Sequence, residues 1–209
     1  MFIKIIDGYR VLLNFEREYN EKLKEYNAYL SDQTNGFYRV ELCKDVTKDD
    51  GRLIIEYKGL KWIDRKGRVF IGTVPPQRIA VKVTVPPKFP LIGVRFIVEK
   101  GHVKLRYRDY RKLKSLFKDC EILEEPSVNV NNILNDIKYY TKSYVSKIAK
   151  AGLKSILWVP LISTSIAFKF KKKYNLGQDV LVDLLWYLHD KGYIRFEHDG
   201  NELWVSLKQ

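Results

Sequence analysis

The clearest pattern in the first part of the chain is helical, because large apolar residues recur at spacings of three and four between positions 10 and 30. These residues are Val11, Leu12, Phe15, Tyr19, Leu23, Tyr26 and Leu30. Glutamate and lysine occupy most positions between them, as on a helix with one face in a core and the other in water. We therefore predict a helix over residues 10–30, followed by a turn at 32–36.

Residues 37–98 alternate between apolar runs and turn residues, a pattern typical of β-strands joined by hairpins. The predicted strands are 37–42, 53–58, 69–73, 79–85 and 94–99. The fourth of these alternates strictly, which predicts that Ile79, Val81, Val83 and Val85 share one face. Four or five strands in hairpin order after the helix predict an antiparallel meander, and thus an α+β fold.

The second half of the chain is predicted to be mainly helical. The expected order is a basic, partly helical stretch, a loop and a helix, at 107–118, 119–127 and 128–148. Gln178–Asp190 is a strongly amphipathic helix that ends at Lys191 and Gly192, since glycine commonly stands just past a helix end. Two apolar runs then flank a turn at 198–201, which predicts a two-stranded hairpin.

The C-terminal elements come in an order that is found in one known family. A short helix through Lys173, capped by Ser163, Thr164 or Ser165, precedes a turn at 175–177, the amphipathic helix and the hairpin. This order resembles a winged-helix domain over roughly residues 148–208. The resemblance implies either DNA binding or docking to a protein, since the family serves both uses.

In the DNA-binding mode of that family, the amphipathic helix would enter the major groove. Its early exposed positions are expected to be Gln178, Asp179, Val182 and Asp183. Two carboxylates there would meet phosphates unfavourably, and no lysine or arginine precedes Lys191 on this helix. We therefore expect backbone contacts through the lysines of the preceding helix and through Arg195 and His198 of the wing. Protein docking is an equally compatible alternative.

The front of the chain also has an order of elements that is similar to a known family. A long helix, a meander and the Pro-rich run 85–91 are followed by His102, by Cys120 and by a helix from 131. This order resembles the UBC fold of ubiquitin-conjugating enzymes and their inactive variants over about residues 8–146. The resemblance implies that Cys120 stands at the position of the thioester nucleophile.

The sequence departs from that family where the family's chemistry resides. The family's histidine is followed by proline and by an asparagine that stabilises the oxyanion, whereas His102 is followed by Val103 and Lys104. Both residues next to Cys120 are acidic, and their carboxylates would oppose a thiolate. We therefore predict a non-enzymatic protein without catalytic residues, with thioester chemistry at Cys120 as the alternative.

The positive charge of the chain is concentrated in two segments. The 209 residues include 38 lysines and arginines against 25 aspartates and glutamates, a formal charge of +13. Residues 100–118 carry +7 and residues 137–178 carry +9, so the remainder carries −3. Two such runs in one chain favour a polyanionic partner over ordinary solvation.

Residues 100–118 also interleave aromatic with basic side chains. This combination suits nucleic acid, because arginine binds phosphate and tyrosine stacks on bases. The alternative is that the aromatic residues face a core while their charged neighbours face water. The predicted nucleic-acid-binding residues are Arg106, Arg108, Arg111, Lys112, Lys114, Lys169, Lys171, Lys172, Lys173 and Arg195.

Other functional classes have little in the sequence to favour them. Cys43 and Cys120 are too few for a disulfide framework or a Cys-rich zinc site. The histidines lack metal-ligand spacing and no Gly-rich phosphate loop occurs, so we expect no metal and no cofactor. The longest uncharged stretch, 155–168, is too short to span a bilayer. No leader is visible, so we expect a cytoplasmic protein without a membrane partner. The composition is compatible with a thermophilic source.

We therefore predict two domains. A UBC-like α+β domain is expected at 1–146, with a basic insert at 100–118, and a winged helix at 147–209. The predicted function is that of a non-enzymatic adaptor that binds DNA, RNA or a nucleoprotein assembly through lysine and arginine, without strong sequence reading. A pure protein-docking scaffold is the remaining alternative.

Overall fold

The computed structural model describes residues 1–126, 128–139, 159–160, 171–199 and 202–207. The chain forms two compact units. The sheet unit consists of Lys4–Leu105 and Asp109–Leu123, and the C-terminal unit of Met1–Ile3, Arg106–Arg108 and Glu124–Gln209. The domain boundary predicted between 146 and 147 lies outside the described residues.

The predicted N-terminal helix is confirmed as α1, Gly8–Thr34, which extends beyond the predicted bounds at both ends. Five of its seven periodic apolar residues are buried, with Leu12 and Leu30 fully enclosed, and Val11 and Phe15 are half-buried. Two residues after Thr34 terminate the helix. Asn35 is its C-cap, with a left-handed φ of 50°, and the Gly36 N–H donates to the Ser31 carbonyl at 2.7 Å. The turn predicted at this position is therefore present.

The described residues include an open sheet of seven strands. They are β1 (Phe2–Ile5), β2 (Tyr38–Asp49), β3 (Arg52–Asp64), β4 (Val69–Gly72), β5 (Arg95–Glu99), β6 (His102–Arg106) and β7 (Ile122–Glu125). The order is β2-β3-β5-β6-β1-β7, with β4 also pairing with β3. The β2–β3, β3–β4, β3–β5 and β5–β6 pairs are antiparallel. The mixed α/β character and the antiparallel pairing follow the sequence prediction.

The predicted meander is wrong in one respect, because β5 returns to β3 and not to β4. The thirteen residues of β3 are long enough for two partners on one side. Its first half pairs with β5, and Leu60 to Ile63 pair with β4. A turn at 64–67 closes the β3–β4 hairpin, with Gly67 at a φ of 76°.

The strand predicted at 79–85 is wrong, because this segment begins with a short helix, α2 (Gln77–Ala80). Ile79 and Val83 are buried, whereas Val81 is 95% exposed and Val85 is 69% exposed. The backbone N–H of Val83 donates to the Ile79 carbonyl at 3.2 Å, as in a helical turn. Residues four apart share a face in a helix and in a strand, so alternation alone could not separate the two.

The basic segment is partly helical, as predicted, and forms α3 (Tyr107–Leu113). The loop prediction for 119–127 is wrong in part, because Ile122–Glu125 is the strand β7. That run has only four residues and two of them are glutamates, so its sequence carries little strand signal.

The described C-terminal unit contains three helical stretches and three strands. They are α4 (described over 130–139), β8 (Val159–Pro160), α5 (described over 171–174), α6 (Gln178–Asp190), β9 (Ile194–Asp199) and β10 (Glu202–Leu207). The hairpin of β9 and β10 is confirmed, and β8, which the sequence did not predict, pairs with β10. Apolar residues of α4, α6 and β9 form one core around Ile133, Leu185 and Ile194. The predicted caps at 163–165 lie outside the described residues.

The end of α6 agrees with its prediction residue by residue. Gly192 has a φ of 81°, and its N–H donates to the His189 carbonyl at 2.9 Å. The N–H of Tyr193 donates to the Leu188 carbonyl at 2.9 Å. These two bonds make a Schellman motif, in which glycine relieves the steric cost of the left-handed residue.

Candidate nucleic-acid interface

The basic segment turns its aromatic residues inward. Tyr107 and Phe117 are buried, whereas Arg111, Lys112 and Lys114 are exposed. Stacking on bases is therefore wrong for Tyr107 and Phe117, and the alternative interpretation of a core-facing aromatic side is right for both. The exposed cations remain able to meet phosphates, which needs charge and not stacking.

Two arginines of this segment bind carboxylates of α6 within the C-terminal unit. Arg106 Nη1 donates to Asp179 Oδ2 at 3.2 Å. Arg108 Nε lies 3.8 Å from Asp183 Oδ1, and the Asp183 side chain is 2% exposed. The prediction that Val182 and Asp183 are exposed is wrong, because both are buried. The acidic charge of α6 thus faces arginines of its own chain.

An aromatic network holds the backbone between these two arginines. The Tyr107 hydroxyl donates to Asp190 Oδ2 at 3.0 Å, and its ring meets Tyr187 edge-on at 5.4 Å. Tyr187 in turn donates to Glu124 at 2.9 Å, and Lys191 pairs with the same glutamate at 2.8 Å. Burial, followed by the hydrogen bond to Glu124, raises the pKa of Tyr187 to about 12, so this donor stays protonated at neutral pH. Sequence reasoning missed this network, because its members are far apart in the chain.

The lysines before α6 differ in their exposure and in their hydrogen-bond partners. Lys171 Nζ donates to Gln178 Oε1 at 2.9 Å, whereas Lys172 is exposed. Lys173 Nζ donates to both Asp136 oxygens, at 2.9 and 2.6 Å, and the Tyr174 hydroxyl donates to Asp136 at 2.6 Å. The hydrogen bond to Asp136 raises the pKa of Lys173. Lys169 lies outside the described residues.

Asp136 is the centre of that cluster on α4. Burial acts to raise the pKa of Asp136, but the hydrogen bonds from Lys173 and Tyr174 outweigh it and hold the pKa below its usual value. Lys173 therefore ties α5 to α4, and its charge is largely satisfied within the chain. Among lysines 171, 172 and 173, the second has the side chain that is most open to a partner.

Cations from both basic segments meet at the first turn of α6. Arg106 binds Asp179 and Lys171 binds Gln178, which are the first two residues of that helix. Gly177 caps the helix without a side-chain hydrogen bond, so the amides of the first turn carry their partial positive charge toward the same place. Arg195 is exposed on β9. The cations of Arg106 and Lys171, the Asp179 carboxylate and the helix N-terminus therefore lie together at the first turn of α6.

The surroundings of Cys120 do not favour a thiolate. Burial raises the pKa of its thiol, and Asp119 raises it further, against the opposing effect of Arg10. His102, whose place in the sequence resembles that of the UBC family's histidine, is hydrogen-bonded to another part of the chain. The Asp7 backbone N–H donates to His102 Nδ1 at 3.2 Å. The thiol of Cys120 is therefore protonated at neutral pH.

Groups of metal ligands and membrane-spanning helices are both absent from the described part of the chain. Over those residues, no group of three or more histidines, cysteines and carboxylates could hold a metal ion. In the same residues, no helix is both long and apolar enough to cross a membrane. Comparison of the chain with protein-family models, curated proteins and solved structures found no match.

Proposed function

We propose that the chain is a non-enzymatic adaptor that binds nucleic acid, or a nucleoprotein assembly, through lysine and arginine contacts to phosphates. The observation that carries this proposal is the meeting of Arg106 and Lys171 at the first turn of α6. Exposed Lys172 and Arg195 of the same unit add cations that a polyanion can reach. Helix N-termini and basic side chains are the groups that proteins commonly use for phosphate contacts.

The contacts are expected to be independent of base sequence. The polar side chains that α6 offers at its first turn are those of Gln178 and Asp179, and Asp179 is engaged by Arg106. Asp183 is buried and cannot reach a base. A helix that reads the major groove needs exposed side chains with donors and acceptors aimed at base edges. The arrangement therefore favours phosphate contacts.

The order of C-terminal elements supports a winged-helix interpretation. Helical residues 171–174, the turn at Asn175, α6 and the β9–β10 hairpin follow one another as that family requires. The UBC-like interpretation of the front has support from α1 and from the antiparallel sheet. It has less support from residues 79–85, where the strand expected before the Pro-rich run is missing from the described structure. Thioester chemistry at Cys120 draws no support from its raised pKa.

A double charge reversal, Lys172→Glu with Arg195→Glu, tests the proposal. Both side chains are exposed, so the fold should tolerate the change. Fluorescence anisotropy with a duplex DNA and a single-stranded RNA, over a series of salt concentrations, gives the salt dependence of affinity. On duplex DNA, the slope of log affinity against log salt should become shallower by about 0.9 for each phosphate that the variant no longer binds. The matched control is Lys22→Glu with Lys24→Glu, which makes the same charge change at two exposed positions of α1.

The proposal requires that Lys172→Glu with Arg195→Glu lose salt-dependent binding and that Lys22→Glu with Lys24→Glu retain it. Equal binding by all three proteins would refute it. Reversal of Lys173 is less informative, since it also breaks the bonds to Asp136. Size-exclusion chromatography before and after nuclease treatment separates the protein-docking alternative, because only a nucleic-acid binder should carry nuclease-sensitive material.

A further inference from the structure

A stretch of the sheet unit outside the proposed nucleic-acid interface combines positive charge with exposed apolar surface. No carboxylate occurs between Asp64 and Glu99. The seven cations of that stretch are Arg65, Lys66, Arg68, Arg78, Lys82, Lys88 and Arg95. The same stretch contains six exposed large apolar residues: Val69, Phe70, Ile71, Val74, Val81 and Val85. Phe70, Ile71 and Val74 line one groove, and exposed apolar residues that lie together often mark a binding site.

The strand β4 lies in this stretch and has one open edge. In the described residues, β4 pairs with β3 alone. The Asp64 N–H donates to the Arg68 carbonyl at 3.1 Å, which sets the alternation of hydrogen-bonded pairs along the ladder. By that alternation, the N–H and C=O groups of Val69 and Ile71 point away from β3. They form a short row of backbone donors and acceptors along the outer edge.

The β3–β4 turn holds this edge in a defined position. Asp64 is buried, and its carboxylate accepts hydrogen bonds from the backbone N–H groups of Lys66 and Arg68, at 2.9 and 3.0 Å. The same carboxylate accepts from Arg68 Nε at 2.6 Å. The turn is therefore locked from inside, and Arg68 is fixed beside the first residue of β4.

The other two edges of the sheet carry charged residues, whereas β4 carries none. The edge strand β2 includes exposed Glu41, Lys44 and Asp45, and the edge strand β7 ends in two glutamates. Charged residues on an edge strand discourage pairing with another chain. The four residues of β4, Val-Phe-Ile-Gly, contain no charge. Of these three edges in the described sheet, β4 is therefore the one suited to pairing.

A groove of about 650 Å³ adjoins β4. Its apolar lining includes the Trp62 and Phe70 side chains and the two prolines 75 and 76, and its charged lining consists of Arg68 and Arg78. An occupant must therefore offer apolar groups to the floor and negative charge to the guanidinium groups.

We propose that β4 and this groove bind an extended acidic segment of a partner protein, which adds to the sheet as a strand beside β4. Its backbone would pair with Val69 and Ile71, its apolar side chains would enter the groove, and its carboxylates would face Arg68 and Arg78. This is β-strand addition, in which main-chain bonds supply affinity and side-chain pockets supply specificity. A polypeptide fits better than nucleic acid, because the outward N–H and C=O groups of Val69 and Ile71 match the backbone of another strand. The site extends beyond the proposed function, since it uses none of the residues assigned to nucleic acid.

The probe is a fluorescein-labelled peptide that alternates valine and glutamate, titrated against the full chain and followed by anisotropy. Ile71→Pro removes one outward N–H without touching the β3–β4 ladder, since proline is accepted on a strand edge that faces solvent. Ile71→Glu keeps the N–H and places a negative charge on the edge. Each variant should weaken binding at least tenfold. The matched control, Val46→Glu, introduces the same charge at an exposed position of β2 and should bind like the parent chain.

The peptide itself provides a second comparison that needs no variant. N-methylation of alternate residues should abolish binding when it removes the amides that face β4, and should leave binding intact in the other register. A peptide of valine and lysine should not bind. Equal binding of the valine–lysine peptide, equal binding in both methylated registers, or equal loss in Val46→Glu would each overturn the proposal. Displacement of the peptide by oligothymidylate, with loss of oligonucleotide binding in Ile71→Glu, would assign the surface to nucleic acid and also overturn it.

Discussion

Two aspartates one turn apart on α6 should respond in opposite ways to the same substitution. Asp183 is buried beside Arg108, whereas the Asp179 side chain is 62% exposed beside Arg106. We expect Asp183→Asn to destabilise the C-terminal unit with no gain in nucleic-acid binding. We expect Asp179→Asn to leave stability nearly unchanged and to strengthen binding, because it removes a carboxylate from the first turn of α6.

The expected magnitudes follow from burial and distance. Two unit charges about 4 Å apart interact by about 4 kcal/mol at an effective dielectric constant of 20, and desolvation offsets part of this gain. Arg108 is partly exposed, which screens the pair further, so we expect Asp183→Asn to cost about 1–3 kcal/mol. The exposed pair at Asp179 should contribute less than about 1 kcal/mol. At a urea dependence of about 2 kcal/mol per molar, Asp183→Asn should lower the urea midpoint by about 1 M.

Urea denaturation followed by circular dichroism measures the stability change, and hydrogen exchange of the α6 amides localises it. Faster exchange along α6 is expected in Asp183→Asn and not in Asp179→Asn. If Asp183→Asn kept its urea midpoint and bound nucleic acid more tightly, Asp183 would be an exposed residue of a recognition helix. The burial argument would then be refuted.

Four further substitutions test the sheet unit. Tyr57→Phe removes the hydrogen bond that the buried hydroxyl donates to Glu16 Oε2 at 2.7 Å, and should cost about 1.5–3 kcal/mol in urea denaturation. Val83→Ala should cost about 1–2 kcal/mol, whereas Val81→Ala should stay within about 0.5 kcal/mol; equal effects would restore the strand interpretation. Burial acts to raise the pKa of Asp64, but the hydrogen bonds it accepts lower it. The ionised Asp64 carboxylate therefore makes its full contribution to the free energy of unfolding above about pH 3.9, and this contribution is lost as pH falls through the lower folded-state pKa. Asp64→Asn should accordingly weaken the acid dependence of unfolding below about pH 4.

Local sequence patterns predicted the helices and turns that depend on neighbouring residues. The bounds of α6 were predicted residue by residue, because apolar spacing and the glycine past its end are both local signals. The same holds for the core face of α1 and for the turn that follows it. Local signals failed at Ile79 and Val83, whose spacing suits a helix and a strand equally. Packing of these two side chains decided between them.

Pairing between distant segments was decided by the tertiary structure. The sequence indicated that β3 is a strand, but not that its two halves have different partners on one side. The pairing of β3 with both β4 and β5 depends on the length of β3 and on the path of the chain between β4 and β5. The alternation of apolar and polar residues predicts neither of these. The open edge of β4 is a consequence of this pairing and could not be predicted from the sequence.

The sequence by itself determined how much positive charge the chain carries and in which segments. Only the tertiary structure decided what each cation meets. Arg106 binds Asp179 across 73 residues, and Lys173 binds Asp136 across 37 residues. Electrostatic interaction depends on separation in space and on burial, not on separation along the chain. A segment that is uniformly basic in sequence therefore becomes, in the folded chain, a mixture of internal ion pairs and of cations that are open to a partner.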